Sequence, residues 1–389
     1  MTNEEFIAKN KDADVHALAL SKAPAGIDLH FCLQQIEGKQ IAQKKLPFWA
    51  KTESILFPPK LSLEQCSSEQ TALYKQQLVE RLLPKGRQKM VDLTGGFGID
   101  FSFLAKLFDE ADYVETNENL CNIAQHNAPL LGLQKTKVYN KKCEDFLDEM
   151  GNFDFIYLDP SRRDADGRKV IALSDCSPNI ESLQEKLLDH AQIVLVKLSP
   201  MLDIQDTLRR LSNVSEVHVI SVGGECKEIL LVLCREKKDE LCFYCVNIAT
   251  QTQSFCTIIR DVEPVLASQL ERYLYEPNAS IMKAGVQNAL CQTYDVKKLH
   301  PFSHLFVSSH FIEDFPGRSF KIENYCGFGK KDLKKLLEDI SQCNLTIRNF
   351  PATVAELRKR LKLREGGNIY LFATTLSDEA HVLIRCSQL

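Results

Sequence analysis

Between residues 90 and 234, short apolar runs alternate with stretches whose apolar positions recur every three or four residues. Short apolar runs bounded by turn signals read as buried strands, and three-four spacing reads as helix. Strands are expected at 90–93, 112–115, 137–139, 153–158, 193–197, 217–222 and 228–234, with helices at 118–131, 179–190 and 204–211. This alternation implies a mainly parallel sheet covered on both faces. The last two strands are joined by GGECKE. That link is too short for a parallel crossover, so the pair should be antiparallel. The pattern is an α/β, Rossmann-like sheet of seven strands with an antiparallel final hairpin.

The pattern differs on either side. Helices are expected at 12–23 and 27–45, followed by a loop where Pro47, Pro58 and Pro59 interrupt the periodicity. Phe48 and the single tryptophan, Trp49, fall in that loop, either packed on the next domain or facing a substrate. Ser67 with Gln70 reads as a capping box opening a helix to Leu83. After the sheet, 237–318 reads as a small α+β unit with a hairpin at 241–248 and 254–259 and a helix at 264–273. Residues 319–389 follow as strand, helix at 331–340, strand, helix at 353–361, and strands at 369–373 and 380–386. The expected domains are therefore 1–80, 81–236, 237–318 and 319–389.

Length supports that division, since 389 residues exceed one typical domain. With 44% hydrophobic and 26% charged residues, composition is that of an ordinary globular chain. A net charge of −4 gives no global sign of a nucleic-acid partner. Locally the balance reverses: residues 330–364 hold ten Lys and Arg against four Asp and Glu. Such a run is either a solvated helix face or a nucleic-acid surface. The polar start and the lack of a long apolar run point to a cytoplasmic protein without a membrane span. Fourteen cysteines without paired spacing read as reduced thiols. Cys242 and Cys245 form one C-x-x-C inside a strand-like run, where alternation sends the two side chains to opposite faces, so no metal site is expected.

The chemistry gathers at the strand ends. The first strand runs into KMVDLTGGFGIDF, with Asp92, Thr94, Gly95, Gly96 and Gly98 between strand and helix. Glycines permit unusual backbone angles and close approach of a ligand. Counted from Gly96, the third glycine of a dinucleotide fingerprint would fall at Phe101, so a pyrophosphate fits poorly and S-adenosylmethionine fits better. Glu115 ends the second strand where such sheets place an acid for ribose hydroxyls, with Asn117 beside it. Its alternative role is a helix N-terminal acid. After the third strand, Glu144 or Asp145 could accept from an adenine amine. The fourth strand ends in DFIYLDPSRRD. Asp159 would face the methyl group and its acceptor, and Pro160 would stiffen the turn. Arg162 and Arg163 could clamp a phosphate or pair with neighbouring aspartates.

Together with VKLSPMLD, GGECKE, LPFW, CSSEQTALYK, YEPNASIMKAG, FPGRSF and FPATVAELRKRLKLREGG, these motifs resemble a bacterial class I methyltransferase family with a C-terminal THUMP-like domain. The resemblance implies S-adenosylmethionine as cofactor, a ferredoxin-like small domain and a THUMP-like tail. THUMP domains usually accompany RNA-modifying enzymes, so it also implies tRNA or rRNA as acceptor, met through the basic C-terminal module. Asp159, Pro160 and Arg162 would then be catalytic residues. Two departures limit the analogy. Amino-methylating enzymes carry an aromatic after Asp/Asn-Pro-Pro, whereas here Ser161 and Arg162 follow Pro160. Uracil C5-methyltransferases need a cysteine where this chain has Leu198. A small-molecule or protein methyltransferase, or a non-catalytic RNA-binding protein of the same fold, are the alternatives.

Overall fold

The computed structural model describes residues 1–22, 24–161, 173–236, 238–258 and 262–389. The chain divides into two units, Met1–Ser215 with Leu230–Asp239, and Glu216–Ile229 with Glu240–Leu389.

In the first unit the expected apolar runs form β1 (Lys89–Asp92), β2 (Glu110–Glu115), β3 (Thr136–Asn140), β4 (Phe153–Leu158) and β5 (Ala191–Leu198). Their order is 3-2-1-4-5 and every neighbouring pair is parallel. β1 therefore has β2 on one side and β4 on the other. Asp92 is in register with both Tyr113 and Tyr157, so Glu115 and Asp159 each lie two residues further along a flanking strand. This reversal of strand order is the topological switch point, where open parallel sheets leave a crevice at their carboxyl edge.

β6 (Val214–Val222) and β7 (Glu225–Cys234) are joined by Gly223 and Gly224, both at positive φ. That is the two-residue turn of a tight antiparallel hairpin. β8 (Cys242–Ile248) runs parallel to β6, and β9 (Gln253–Thr257) runs antiparallel to β8. The sheet thus has nine strands in the order 3-2-1-4-5-7-6-8-9, two more than its sequence pattern suggested. The signal was present in β6, whose interior residues are all buried, as in a strand with neighbours on both sides. Within β8, Cys245 is buried and Cys242 half-buried.

A seven-stranded sheet fills the rest of the second unit, in the order β11-β12-β10-β13-β16-β15-β14. It comprises β10 (Tyr273–Pro277), β11 (Lys297–Lys298), β12 (Phe306–Ser308), β13 (Gly317–Gly327), β14 (Gln342–Arg348), β15 (Arg364–Thr375) and β16 (His381–Gln388). Helices Lys330–Leu336 and Val354–Leu361 precede and follow β14. The second begins with a capping box between Thr353 and Glu356. The helix expected at 264–273 does not form. Lys298 N–H donates to Val265 O at 2.8 Å and Ala267 N–H to Lys298 O at 2.9 Å, so this strip lies extended along β11. Tyr273 then opens β10.

At the N-terminus the helices are Asn3–Lys9, Val15–Ala19 and Leu29–Lys45. The expected proline loop instead contains two short helices, Pro47–Lys51 and Lys60–Gln65. Pro47 occupies the first turn, where a missing N–H costs nothing, and Pro59 stands at the N-cap. Trp49 is buried, with its indole N–H donating to Ser102 Oγ at 3.2 Å and its ring edge-on to Phe97. The packing role therefore holds for Trp49. The next helix is Glu69–Leu82, capped by Ser68 rather than Ser67. Ser67 instead turns its hydroxyl inward, to Asp100. Among the described residues no helix is long and apolar enough to cross a membrane.

Candidate active site

The turn after β1 is tied together by hydrogen bonds that its sequence makes possible. Asp92 Oδ1 accepts from Thr94 N–H at 2.9 Å and from the Thr94 hydroxyl at 3.3 Å. The same hydroxyl oxygen accepts from Asp159 N–H at 2.6 Å, linking the ends of β1 and β4. Gly96 and Gly98 take φ of 56° and 83°, in the left-handed region that favours glycine. Gly98 N–H donates to Gly95 O at 2.9 Å and closes the turn. Gly95 serves a different purpose. A Cβ there would lie 2.2 Å from the Tyr113 ring, so its lack of a side chain admits Tyr113, whose hydroxyl donates to Gly96 O.

Glu115 is fixed from both sides. Its Oε2 accepts from Gly96 N–H at 2.9 Å, and its Oε1 from Asn117 N–H at 2.8 Å and the Thr116 hydroxyl at 3.1 Å. A carboxylate offers about four lone-pair sites, so one acceptor position remains for a ligand. Asn117 Oδ1 caps helix Glu118–Leu130 through Leu120 N–H at 3.2 Å. Glu144 and Asp145 are exposed in the first turn of helix Cys143–Glu149, which follows β3.

Asp159 is half-exposed just beyond β4, and Pro160 is buried behind it. Ser161 then exchanges backbone hydrogen bonds with Ser177 at 2.8 and 3.0 Å, which anchors the strand exit. Arg162 and Arg163 lie outside the described residues.

Behind Asp159 is a polar network that its sequence pattern did not disclose. Lys197, on the mainly apolar β5, places Nζ 2.5 Å from Asp159 Oδ2, 3.1 Å from Ser67 Oγ and 3.5 Å from Asp100 Oδ2. Asp100 Oδ2 also accepts from the Ser67 and Tyr157 hydroxyls, each at 2.7 Å. Lys75, fully buried on helix Glu69–Leu82, reaches Asp100 Oδ1 at 3.1 Å. Two cations thus face two carboxylates, an arrangement in which buried charges compensate one another.

Burial separates the acids. It opposes the charge on Asp100, but Lys75, Lys197 and the two hydroxyls outweigh it and hold that carboxyl well below its ordinary range. Among the described residues no cation compensates Asp92 in this way. Burial pushes its pKa far up, the Thr94 bonds only partly offset this, and Asp100 and Asp159 add to the rise. A raised carboxyl pKa means that the native state holds the proton more tightly than the unfolded chain. The resulting stability is present below the unfolded pKa, about 3.9, and is lost as pH rises through the folded value. Asp92→Asn should therefore match the wild type in melting temperature near pH 4 and exceed it increasingly toward pH 8; melts across that range check this.

Comparisons with known proteins agree with this architecture. A ferredoxin-like domain family matches residues 273–316, and a THUMP domain-like family matches residues 317–388. The chain is similar to a crystal structure from Porphyromonas gingivalis W83, provisionally named a methyltransferase. Identity is 32% with a TM-score of 0.87, over 99% of this chain and 97% of that one. An rRNA methylase from Streptococcus thermophilus aligns at 14% identity and a TM-score of 0.32, over 41% of this chain and 93% of the other. A SAM-dependent methyltransferase from Agrobacterium tumefaciens gives 14% and 0.32, over 44% and 63%. No curated protein matches.

Proposed function

The chain belongs to the class I methyltransferase family that carries a ferredoxin-like and a C-terminal THUMP-like domain, and from that premise we propose that it transfers a methyl group from S-adenosylmethionine to RNA. In this reading residues 81–236 are the catalytic core, and the cytoplasm is its compartment. The observation that carries the cofactor is the Glu115 carboxylate, held by Gly96 N–H at the edge of the crevice. A carboxylate so placed suits a hydroxyl of a ribose.

The remaining groups fit the same ligand. The turn from Asp92 to Gly98 brings backbone close to the cofactor, with Thr94 holding the two strand ends at fixed spacing. Glu144 or Asp145 would accept from the adenine amine. When bound, S-adenosylmethionine supplies a methyl group already activated by a sulfonium. The chain's own contribution is then mainly positioning. Asp159 would accept a hydrogen bond from an N–H or O–H of the acceptor and so direct its lone pair, while buried Pro160 restrains the turn. Leu198, buried at the end of β5, offers no nucleophile for covalent catalysis.

RNA as acceptor is supported by the THUMP-like match and by the basic run within it. Lys330, Lys331, Lys334, Lys335, Lys359, Arg360, Lys362 and Arg364 are exposed, whereas Arg348 and Arg358 are half-buried and paired with Glu276 and Glu365. Titration calorimetry tests the cofactor: S-adenosylmethionine should bind the wild type, and Gly96→Asp should abolish binding by setting a carboxylate beside Glu115. Heat from the variant equal to that of the wild type would remove the turn from the site. RNA binding should weaken steeply with added salt, as phosphate contacts do.

A further inference from the structure

Lys197 is the least expected residue near the reaction centre. It stands on β5, whose other residues are apolar except Gln192, and its side chain is only 11% exposed. A buried ammonium is costly unless its partners compensate it. Its partners are unusually specific: Asp159 Oδ2 at 2.5 Å, Ser67 Oγ at 3.1 Å and Asp100 Oδ2 at 3.5 Å. Asp100 is itself neutralised on its other oxygen by Lys75. Lys197 is therefore not needed to compensate Asp100 alone, and its closest contact is Asp159.

From this geometry we propose that Lys197 is a positioning residue for methyl transfer, fixing the Asp159 carboxylate so that Oδ1 is the oxygen offered to the acceptor. The proposal rests on the methyltransferase reading above and adds to it a constraint on the acceptor. Among the described residues nothing engages Asp159 Oδ1, while Oδ2 is held by the lysine. A carboxylate paired to an ammonium in this way can only accept hydrogen bonds. The acceptor atom must therefore carry a proton, as an amine or hydroxyl does. In the transfer its lone pair forms the new bond to carbon, the S–C bond breaks with its electron pair left on sulfur, and the acceptor's proton leaves to solvent. The backbone hydrogen bond from Asp159 to Thr94 fixes the main chain, and Lys197 fixes the side chain.

The test does not require the natural acceptor. Sinefungin carries a protonated amine where S-adenosylmethionine has its methyl sulfonium, and S-adenosylhomocysteine has neither. The wild type should bind sinefungin at least about tenfold more tightly than S-adenosylhomocysteine, through the charged hydrogen bond to Asp159. Asp159→Ala should bring that ratio close to one. Lys197→Met should do the same, Lys197→Arg should restore it to within about threefold, and the Asp159→Ala/Lys197→Met double variant should lose no more than Asp159→Ala alone. A merely structural lysine would instead weaken both ligands equally and leave the ratio unchanged. Losses that add in the double variant, or a preserved ratio in Lys197→Met, would overturn the proposal. If Lys197→Met does not fold, Lys197→Gln, which keeps a neutral donor, replaces it in the comparison with Lys197→Arg. Absence of S-adenosylhomocysteine binding to the wild type would overturn the cofactor reading itself, and this proposal with it.

Discussion

Replacing Asp100 by asparagine is expected to destabilise the protein by about 3–5 kcal/mol at neutral pH, because Lys75 and Lys197 would lose the carboxylate between them. Lys75 is fully buried and cannot turn to solvent, so its charge would be left against the apolar face of helix Glu69–Leu82. The amide can still accept from the Ser67 and Tyr157 hydroxyls, which separates loss of charge from loss of shape. A loss of this size should lower the melting temperature by on the order of 10 °C. The pH dependence has a definite sign. The folded carboxyl titrates below its ordinary range, so its stabilisation is present above the unfolded pKa, about 3.9, and disappears as pH falls through the lower folded value. The gap between wild type and variant should thus be constant from pH 6 to pH 8 and narrow only in strong acid. This is the opposite trend to Asp92→Asn, although both residues are buried acids of one cleft. Calorimetric melts of the two variants side by side check the contrast.

Glu115→Ala should leave the fold nearly intact and weaken S-adenosylmethionine binding by about 100-fold. One charged hydrogen bond to a ribose hydroxyl is worth up to about 3 kcal/mol, and each 1.4 kcal/mol is a factor of ten in affinity. The variant also removes the acceptor for Gly96 N–H, so the glycine turn loses one of the bonds that hold it open. The stability cost should stay small, because Glu115 is half-exposed at the rim and its donors can turn to water. Titration calorimetry on both proteins checks the affinity, and a thermal melt without ligand checks the fold.

Much of this architecture was legible in the chain. β1, β2, β4 and β5 stood out because each carries a short apolar run that is buried, whereas β3 is the partly exposed edge strand, and the glycine turn stood out because Gly96 and Gly98 need left-handed angles. The misreadings have physical causes. Pro47 and Pro59 start helices as readily as they break them, and only their neighbours decide which. Ser67 and Ser68 are adjacent and chemically equal, so spacing could not tell that one caps the helix and the other serves Asp100. At 264–273 a helical spacing of apolar residues was overridden by backbone pairing with β11.

The lysines were missed for another reason. A charged residue is ordinarily read as solvent-facing, and Lys75 and Lys197 are not. Yet both carried a signal. Lys75 shares a helix face with the buried Thr71, Leu78 and Val79, and Lys197 interrupts the apolar run of β5. A lysine on an apolar face implies a buried anion, and Asp100, just after the glycine turn, is that anion.

The most direct test of the whole account is mass spectrometry of nucleosides from total RNA, comparing cells that have the gene, lack it, or carry a plasmid copy in its place. One methylated nucleoside should vanish without the gene, and return with the wild type but not with Asp159→Ala. Identical nucleoside profiles with and without the gene, or full restoration by Asp159→Ala, would contradict it.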